Sequence, residues 1–218
     1  MAQLSTTTLF SDANLVSYYK LENTSDSKGA NTLTNTGSVA FVSAKYGNGA
    51  DLTATNSSKK LASGNNLGIA GTGAMSVTFW VKQYNTTDGG FFTHTSTTTA
   101  DRYLIVKQDG AGNLQFNGAG VTGSVAFTDT TSFHHVVITR SGAGAMLGYL
   151  DGVQVASFSA GATGLTTDNF QIGAIDGGGG AEWGLAIIDD MGIFSRVLTA
   201  QEVQILYQDG FGLLASEI

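Results

Sequence analysis

A helix-forming pattern is confined to one place in this chain, just after residue 198, and that confinement constrains the fold more than any other feature of the sequence. Residues 188–203 read Ile-Asp-Asp-Met-Gly-Ile-Phe-Ser-Arg-Val-Leu-Thr-Ala-Gln-Glu-Val, a strand-like run leading straight into a helix start. Thr199 stands where an N-cap belongs and Glu202 lies three residues on, the spacing of a reciprocal capping box. Leu198 and Val203 have the spacing of a hydrophobic staple across that cap. Val203, Leu206 and Tyr207 continue one apolar stripe, and Gly210 is placed for a left-handed C-cap. Everything upstream carries β signals, so the expected molecule is an all-β body closed by one short C-terminal helix.

The rest of the composition suits many short strands and tight turns. Among 218 residues there are 30 glycines, no proline and no cysteine, and only 12% are charged. Ser, Thr, Asn and Gly supply the polarity, as on strands with neutral outer faces. A net charge of −7 opposes a phosphate backbone, so no nucleic-acid partner is expected. No apolar run approaches the roughly 20 residues that span a bilayer, so no membrane partner is expected. The first residues, Met1 to Thr6, show neither a basic nor an apolar segment of the secretory kind, and synthesis and use without export is the expectation.

Strand-like runs bounded by Gly, Asn, Asp and Ser recur at residues 15–21, 75–82, 90–94, 103–108, 114–117, 124–127, 133–140, 146–150, 153–158, 170–175 and 185–194. Residues 75–82 alternate apolar and polar side chains, the mark of a strand with one buried face. Asp151-Gly152 between Leu150 and Val153 predicts a hairpin with a type I′ turn, since both central residues must take positive φ. With no linker or repeat, the division expected is an N-terminal arm (1–14), one sandwich domain (15–210) and an apolar tail (211–218).

Five segments, in order, resemble laminin G-like (concanavalin A-like) jelly-roll domains. They are Val16 to Glu22 with the turn Asp26-Ser27-Lys28-Gly29, Lys45 to Leu52, Ser76 to Lys82, Phe133 to Thr139, and Leu150-Asp151-Gly152, followed by the Ile-Asp-Asp strand and its helix. The resemblance implies a two-sheet antiparallel jelly-roll sandwich with Phe79, Trp80 or both in its core. It also implies a structural Ca²⁺ joining the turn after the first strand to the last strand, for which Asp26 and Asp190 are the matching positions. The family hosts lectins, receptor modules, glycosidases and virion proteins, so fold alone does not select a function.

Catalytic chemistry finds little in the chain. A retaining glycosidase needs two carboxylates about 5 Å apart, yet Glu22, Glu182, Glu202 and Glu217 are scattered. The adjacent Asp189 and Asp190 are expected on opposite faces of their strand. No nucleophile elbow or cysteine accompanies His94, His134 and His135. Carbohydrate recognition stacks a sugar on an aromatic ring while neutral polar groups bond its hydroxyls. Trp183, Tyr84, Tyr103 and His94, the last in a Thr-rich loop, are the candidates.

The expectation is therefore a non-enzymatic binding or structural module, first a virion protein (bacteriophage capsid decoration or tail), made in the cytoplasm and partnered by capsid or tail proteins or by itself as a homo-oligomer. The alternative is a free carbohydrate-binding lectin, extracellular and recognising a cell-surface glycan, and a glycoside hydrolase comes third. Leu9, Phe10 and the apolar residues of 211–218 are the expected docking elements for a neighbouring subunit.

Overall fold

The computed structural model describes residues 6–53, 59–69, 73–95, 102–160, 169–175 and 182–209. In chain order the elements are α1 (Thr6–Phe10), β1 (Leu15–Tyr19), β2 (Thr34–Thr36), β3 (Ala40–Ser43), β4 (Asn48–Asp51), β5 (Lys60–Ala62), β6 (Met75–Gln83), β7 (Gly89–Thr95), β8 (Arg102–Gln108) and β9 (Asn113–Gly118). They continue with β10 (Val121–Ala126), β11 (His134–Arg140), β12 (Ala145–Leu150), β13 (Val153–Ser159), β14 (Asn169–Ile172), β15 (Ala174–Ile175), β16 (Glu182–Trp183), β17 (Ala186–Phe194) and α2 (Ala200–Asp209). One sheet runs β13-β12-β11-β6-β17-β4-β3, with β1 also paired to β17. The other runs β10-β9-β8-β7-β14-β5-β2, with β15 and β16 attached beside β7. All pairings are antiparallel except the single β16–β7 bridge, Trp183 to Gly90. This is the expected two-sheet jelly roll with its C-terminal helix.

The strand β6 explains the layering. Met75, Val77, Phe79 and Val81 point between the sheets into the main core, where Phe92, Phe116, Phe170 and Ile193 meet them. Ser76, Thr78 and Trp80 take the opposite face, yet they too are buried. A second apolar layer covers that face: Leu9, Leu15, Tyr18, Val137, Tyr149, Phe194, Leu198, Val203 and Leu206. Phe79 is thus in the inter-sheet core, while Trp80 lies on the far side of the same sheet. Leu9 is fully buried and Phe10 sits edge-on to Tyr18 at 5.7 Å, so these two residues pack on their own domain rather than standing free for a neighbour. Residues 211–218 lie outside the described residues.

The helix start follows the sequence closely. The Thr199 amide donates to Glu202 Oε2 at 2.7 Å, and the Glu202 amide donates to Thr199 Oγ1 at 3.3 Å. Arg196 adds a clamp that the motif did not announce: its guanidinium donates to both Glu202 oxygens at 2.9 and 2.6 Å and, through Nε, to Asp12 at 2.7 Å. The Asp-Gly turn takes positive φ at both Asp151 (50°) and Gly152 (78°), and Gln204 of α2 donates to the Gly152 carbonyl at 2.7 Å. That bond fixes the middle of α2 over the β12–β13 turn.

Candidate functional site

The outer face of the first sheet is only partly roofed by α2, and a pocket of about 430 Å³ opens where the roof ends. Its walls are Lys45 from the β3–β4 turn, Trp80 of β6, Phe133 and His134 at the start of β11, Asp151 of the turn, and Tyr207 and Gln208 at the end of α2. Tyr207 stacks on Trp80 (5.9 Å, 25°) and on His135 (6.1 Å, 28°). Lys45 Nζ lies 4.3 Å from the Trp80 ring centre, a cation–π contact at the mouth. Asp151 accepts from the His135 amide at 2.9 Å and pairs with His134 Nδ1 at 2.7 Å. His134 Nε2 reaches Asp129 at 3.2 Å. The wall histidine is therefore held between two carboxylates.

Trp80 is flanked in register by His135 of β11 and by Asp189 of β17. All three are buried, and each has a side-chain atom with no hydrogen-bond partner: Trp80 Nε1, His135 Nδ1 and Asp189 Oδ1. Buried polar atoms are almost always partnered, so three orphans side by side across three strands mark polar capacity that the fold does not use. His135 bonds Thr78 Oγ1 through Nε2 at 2.7 Å, and burial pushes its pKa down to about 3, so the ring is neutral. Asp189 accepts from the Tyr46 amide at 2.7 Å. Burial first, and then the neighbouring Asp190 carboxylate against the opposing amide bonds, push the Asp189 pKa up to about 7.

A bulge in β17 follows this row directly. Asp189 faces Trp80 and Gly192 faces Thr78, so three steps on β17 match two on β6, and Asp190 takes φ of 52°. The extra residue breaks strand alternation. Asp189 and Asp190 consequently share the outer face, against the expectation that they would oppose. They do not form a glycosidase pair, because both are buried and Asp190 is engaged by the Tyr18 hydroxyl.

The expected sugar residues fall elsewhere. Tyr84 is 64% exposed just beyond β6. Trp183 is half-buried in β16 next to Glu182, which pairs with Lys107 at 2.6 Å. The Tyr84 amide donates to the Leu185 carbonyl at 2.8 Å, which brings both aromatics to one edge of the sandwich. His94 is a correction: it lies within β7, not in a loop. It is 1% exposed and faces inward in register with core residues Leu104 and Phe170. Tyr103 belongs to β8, and its side chain lies outside the described residues. None of the four is among the described residues lining the pocket.

Asp26 and Asp190 do meet one residue, Tyr18, but from opposite ends. Asp26 accepts from the amides of Tyr18, Lys28 and Asn31 at 2.9, 3.0 and 3.3 Å, and Asp190 accepts from the phenol. Calcium needs several oxygens converging on one point. Here the oxygens are occupied by donors, and no three His, Cys, Asp or Glu side chains among the described residues converge as a metal site. The set does not fit the implied ion.

The sequence reading missed Lys45, Phe133, Tyr207 and Gln208, which are far apart in the chain and converge only through the α2 packing. One signal was legible: Trp80 shares its strand parity with Thr78 and Lys82, the polar face, and so could not be an inter-sheet residue.

The architecture is that of a lectin-type sandwich domain, with a partly roofed outer face. The chain belongs to the laminin G-like family: the Laminin_G_3 model, described as the Concanavalin A-like lectin/glucanases superfamily, matches residues 47–204. Among solved structures it is similar to domain 4 of AbnA, a GH43 extracellular arabinanase from Geobacillus stearothermophilus, in complex with arabinotriose (20% identity, 89% of this chain and 98% of that one, TM-score 0.66). It is similar to the binding domain of botulinum neurotoxin DC in complex with SialylT (14% identity, 90% of this chain and 52% of that one, TM-score 0.69). It is also similar to a mutant Trypanosoma rangeli sialidase displaying trans-sialidase activity (14% identity, 92% of this chain and 34% of that one, TM-score 0.74). The chain thus spans about half of the toxin domain and a third of the sialidase. No curated protein matches.

Proposed function

We propose that the protein is a non-enzymatic, lectin-type carbohydrate-binding module whose ligand enters the pocket over Trp80. The observation that carries this reading is the pocket walled by Trp80, Phe133 and Tyr207 together with Lys45, His134, Asp151 and Gln208, with the unpartnered buried atoms of His135 and Asp189 on either side of Trp80 beneath it. A hydroxyl both donates and accepts, so a sugar can meet the Lys45 ammonium, the Asp151 carboxylate and the Gln208 amide of the pocket walls together. A volume of about 430 Å³ lies within the usual range of small-molecule sites. Tyr207 and Phe133 offer apolar surface for a pyranose or furanose face, and Lys45, His134, Asp151 and Gln208 ring the mouth. Neutral sugars fit better than acidic ones, because Asp151 on the wall and Asp129 beside His134 outnumber Lys45. The structural neighbours, which include domains solved with arabinotriose and SialylT, support a lectin in preference to a virion component.

The test is a glycan array of neutral pentose and hexose oligosaccharides beside sialylated ones, followed by calorimetry on the best binder. Tyr207→Ala should weaken binding by about tenfold or more, the scale of one aromatic contact. Tyr84→Ala should leave it unchanged. Loss with Tyr84→Ala but not Tyr207→Ala would move the site to the Tyr84–Trp183 edge, and no binding to any glycan would overturn the reading.

A further inference from the structure

Two free sheet edges lie on one side of the sandwich, β13 ending the first sheet and β10 ending the second, and they stack on each other, with Gly123 of β10 set against Ala156 and Phe158 of β13. Edge strands carry unpaired N–H and C=O groups that invite another strand, and proteins blunt them with charge, proline, brevity or bulges. The opposite edges follow that rule by brevity: β3 has 4 residues and β2 has 3. β10 and β13 have 6 and 7, and they carry neither charge nor proline. Their one blunting device is the irregularity opposite Gly148/Tyr149, which leaves Val155 out of register between Val153–Gln154 and Ala156–Ser159, both paired with β12. Among the described residues, nothing beyond β9 pairs with Val121–Ala126 and nothing beyond β12 pairs with residues 153–158.

Charge selects the occupant. No Asp, Glu, Lys or Arg occurs between Asp109 and Asp129, between Arg140 and Asp151, or between Asp151 and Asp168. β9, β10, β12 and β13 all fall in these gaps. Two copies of a chain of net charge −7 repel one another on most faces, and this side is where no like charges oppose. It also holds two of the exposed large apolar side chains, Val121 (40% exposed) and Val153 (61% exposed). Because both edges end on the same side, one two-fold axis between copies can serve both sheets at once, giving a self-complementary contact.

We infer that the β10–β13 side is an interface with a second copy of this chain, formed by antiparallel pairing of β13 with β13 and of β10 with β10, so that both sheets run on through the dimer. The inference is independent of the glycan reading, since the Trp80 pocket and this edge involve different residues.

The experiment is sedimentation of the full chain across a concentration series, with amide exchange read at both ends of the series. The expected result is a monomer–dimer equilibrium in which amides of residues 122–126 and 153–158 gain protection only in the dimer. The double variant Ser124→Lys, Ser157→Lys, at exposed positions, should raise the dissociation constant by at least about tenfold through like-charge opposition, while its melting temperature, read at a concentration where the wild type too is monomeric, is unchanged. The paired variant Ser124→Ala, Ser157→Ala should dimerise as the wild type does. A strictly monomeric wild type, a dimer whose protection maps to other residues, or a lysine variant that folds and still dimerises would each overturn the inference.

Discussion

Replacing Asp189 with Asn should reshape the pH dependence of stability. In the native state the Asp189 pKa rises from 3.8 to about 7, mainly through burial, and the side chain is 0% exposed. A raised carboxyl pKa means that the folded state holds a proton the unfolded chain releases. Its contribution is fully present below pH 3.8 and is lost as pH rises to about 7. At about 1.36 kcal/mol per unit, ionising Asp189 costs the fold up to about 4 kcal/mol. Asn cannot ionise. Its oxygen can still accept from the Tyr46 amide, and its NH₂ occupies the place of the protonated oxygen, so the variant mimics the acid form. The stability difference, variant minus wild type, should therefore run from near zero at acid pH to a gain of up to about 4 kcal/mol at about pH 8. His135 sharpens the test. Its depressed pKa, about 3 against 6.5, gives stability that is present above 6.5 and falls as the unfolded chain takes up a proton. Between these limits the two groups oppose each other, so the wild type should be nearly flat where the variant rises by about 1.4 kcal/mol per pH unit. Urea unfolding at a series of pH values measures both curves. A difference that does not change with pH, or a variant less stable than wild type at pH 8, would refute the assignment of a buried, protonated Asp189.

Further outcomes follow from the same contacts. Glu202→Ala removes the acceptor of the Thr199 amide and of both Arg196 nitrogens and should cost about 2–3 kcal/mol in chemical denaturation, whereas Glu202→Gln should recover part of it by keeping the capping bond. Gly148→Ala places a Cβ 2.6 Å from Phe116 Cδ2 in a filled core and should cost about 2–3 kcal/mol, read as a lower melting temperature. Because the Asp26 and Asp190 oxygens already accept from protein donors, melting curves in chelator and in excess calcium should coincide. A rise in calcium would show an ion that these carboxylates do not account for.

How far the residues announced the structure depends on which interactions are local. The capping box, the Asp-Gly turn and the strand runs are set by residues within a few positions of each other, and each stands where the pattern put it. Trp80 and the Asp189–Asp190 pair show where local reading stops. Alternation assigns Trp80 a face but not what covers that face, and the cover comes from α1 and α2, at the two ends of the chain. Alternation also fails at the β17 bulge, where one extra residue turns Asp190 to the side of Asp189. That single residue has two effects. It sends Asp190 to the Tyr18 hydroxyl, closing one end of the outer layer, and its charge helps keep Asp189 protonated beside Trp80. A strand without the bulge would turn the Asp190 carboxylate towards the apolar core between the sheets, where burial without a partner is costly. The bulge is therefore what lets two adjacent acids be tolerated at the centre of this sheet, with Asp189 held beside Trp80 by the regular register before it and Asp190 turned to Tyr18 by the extra residue.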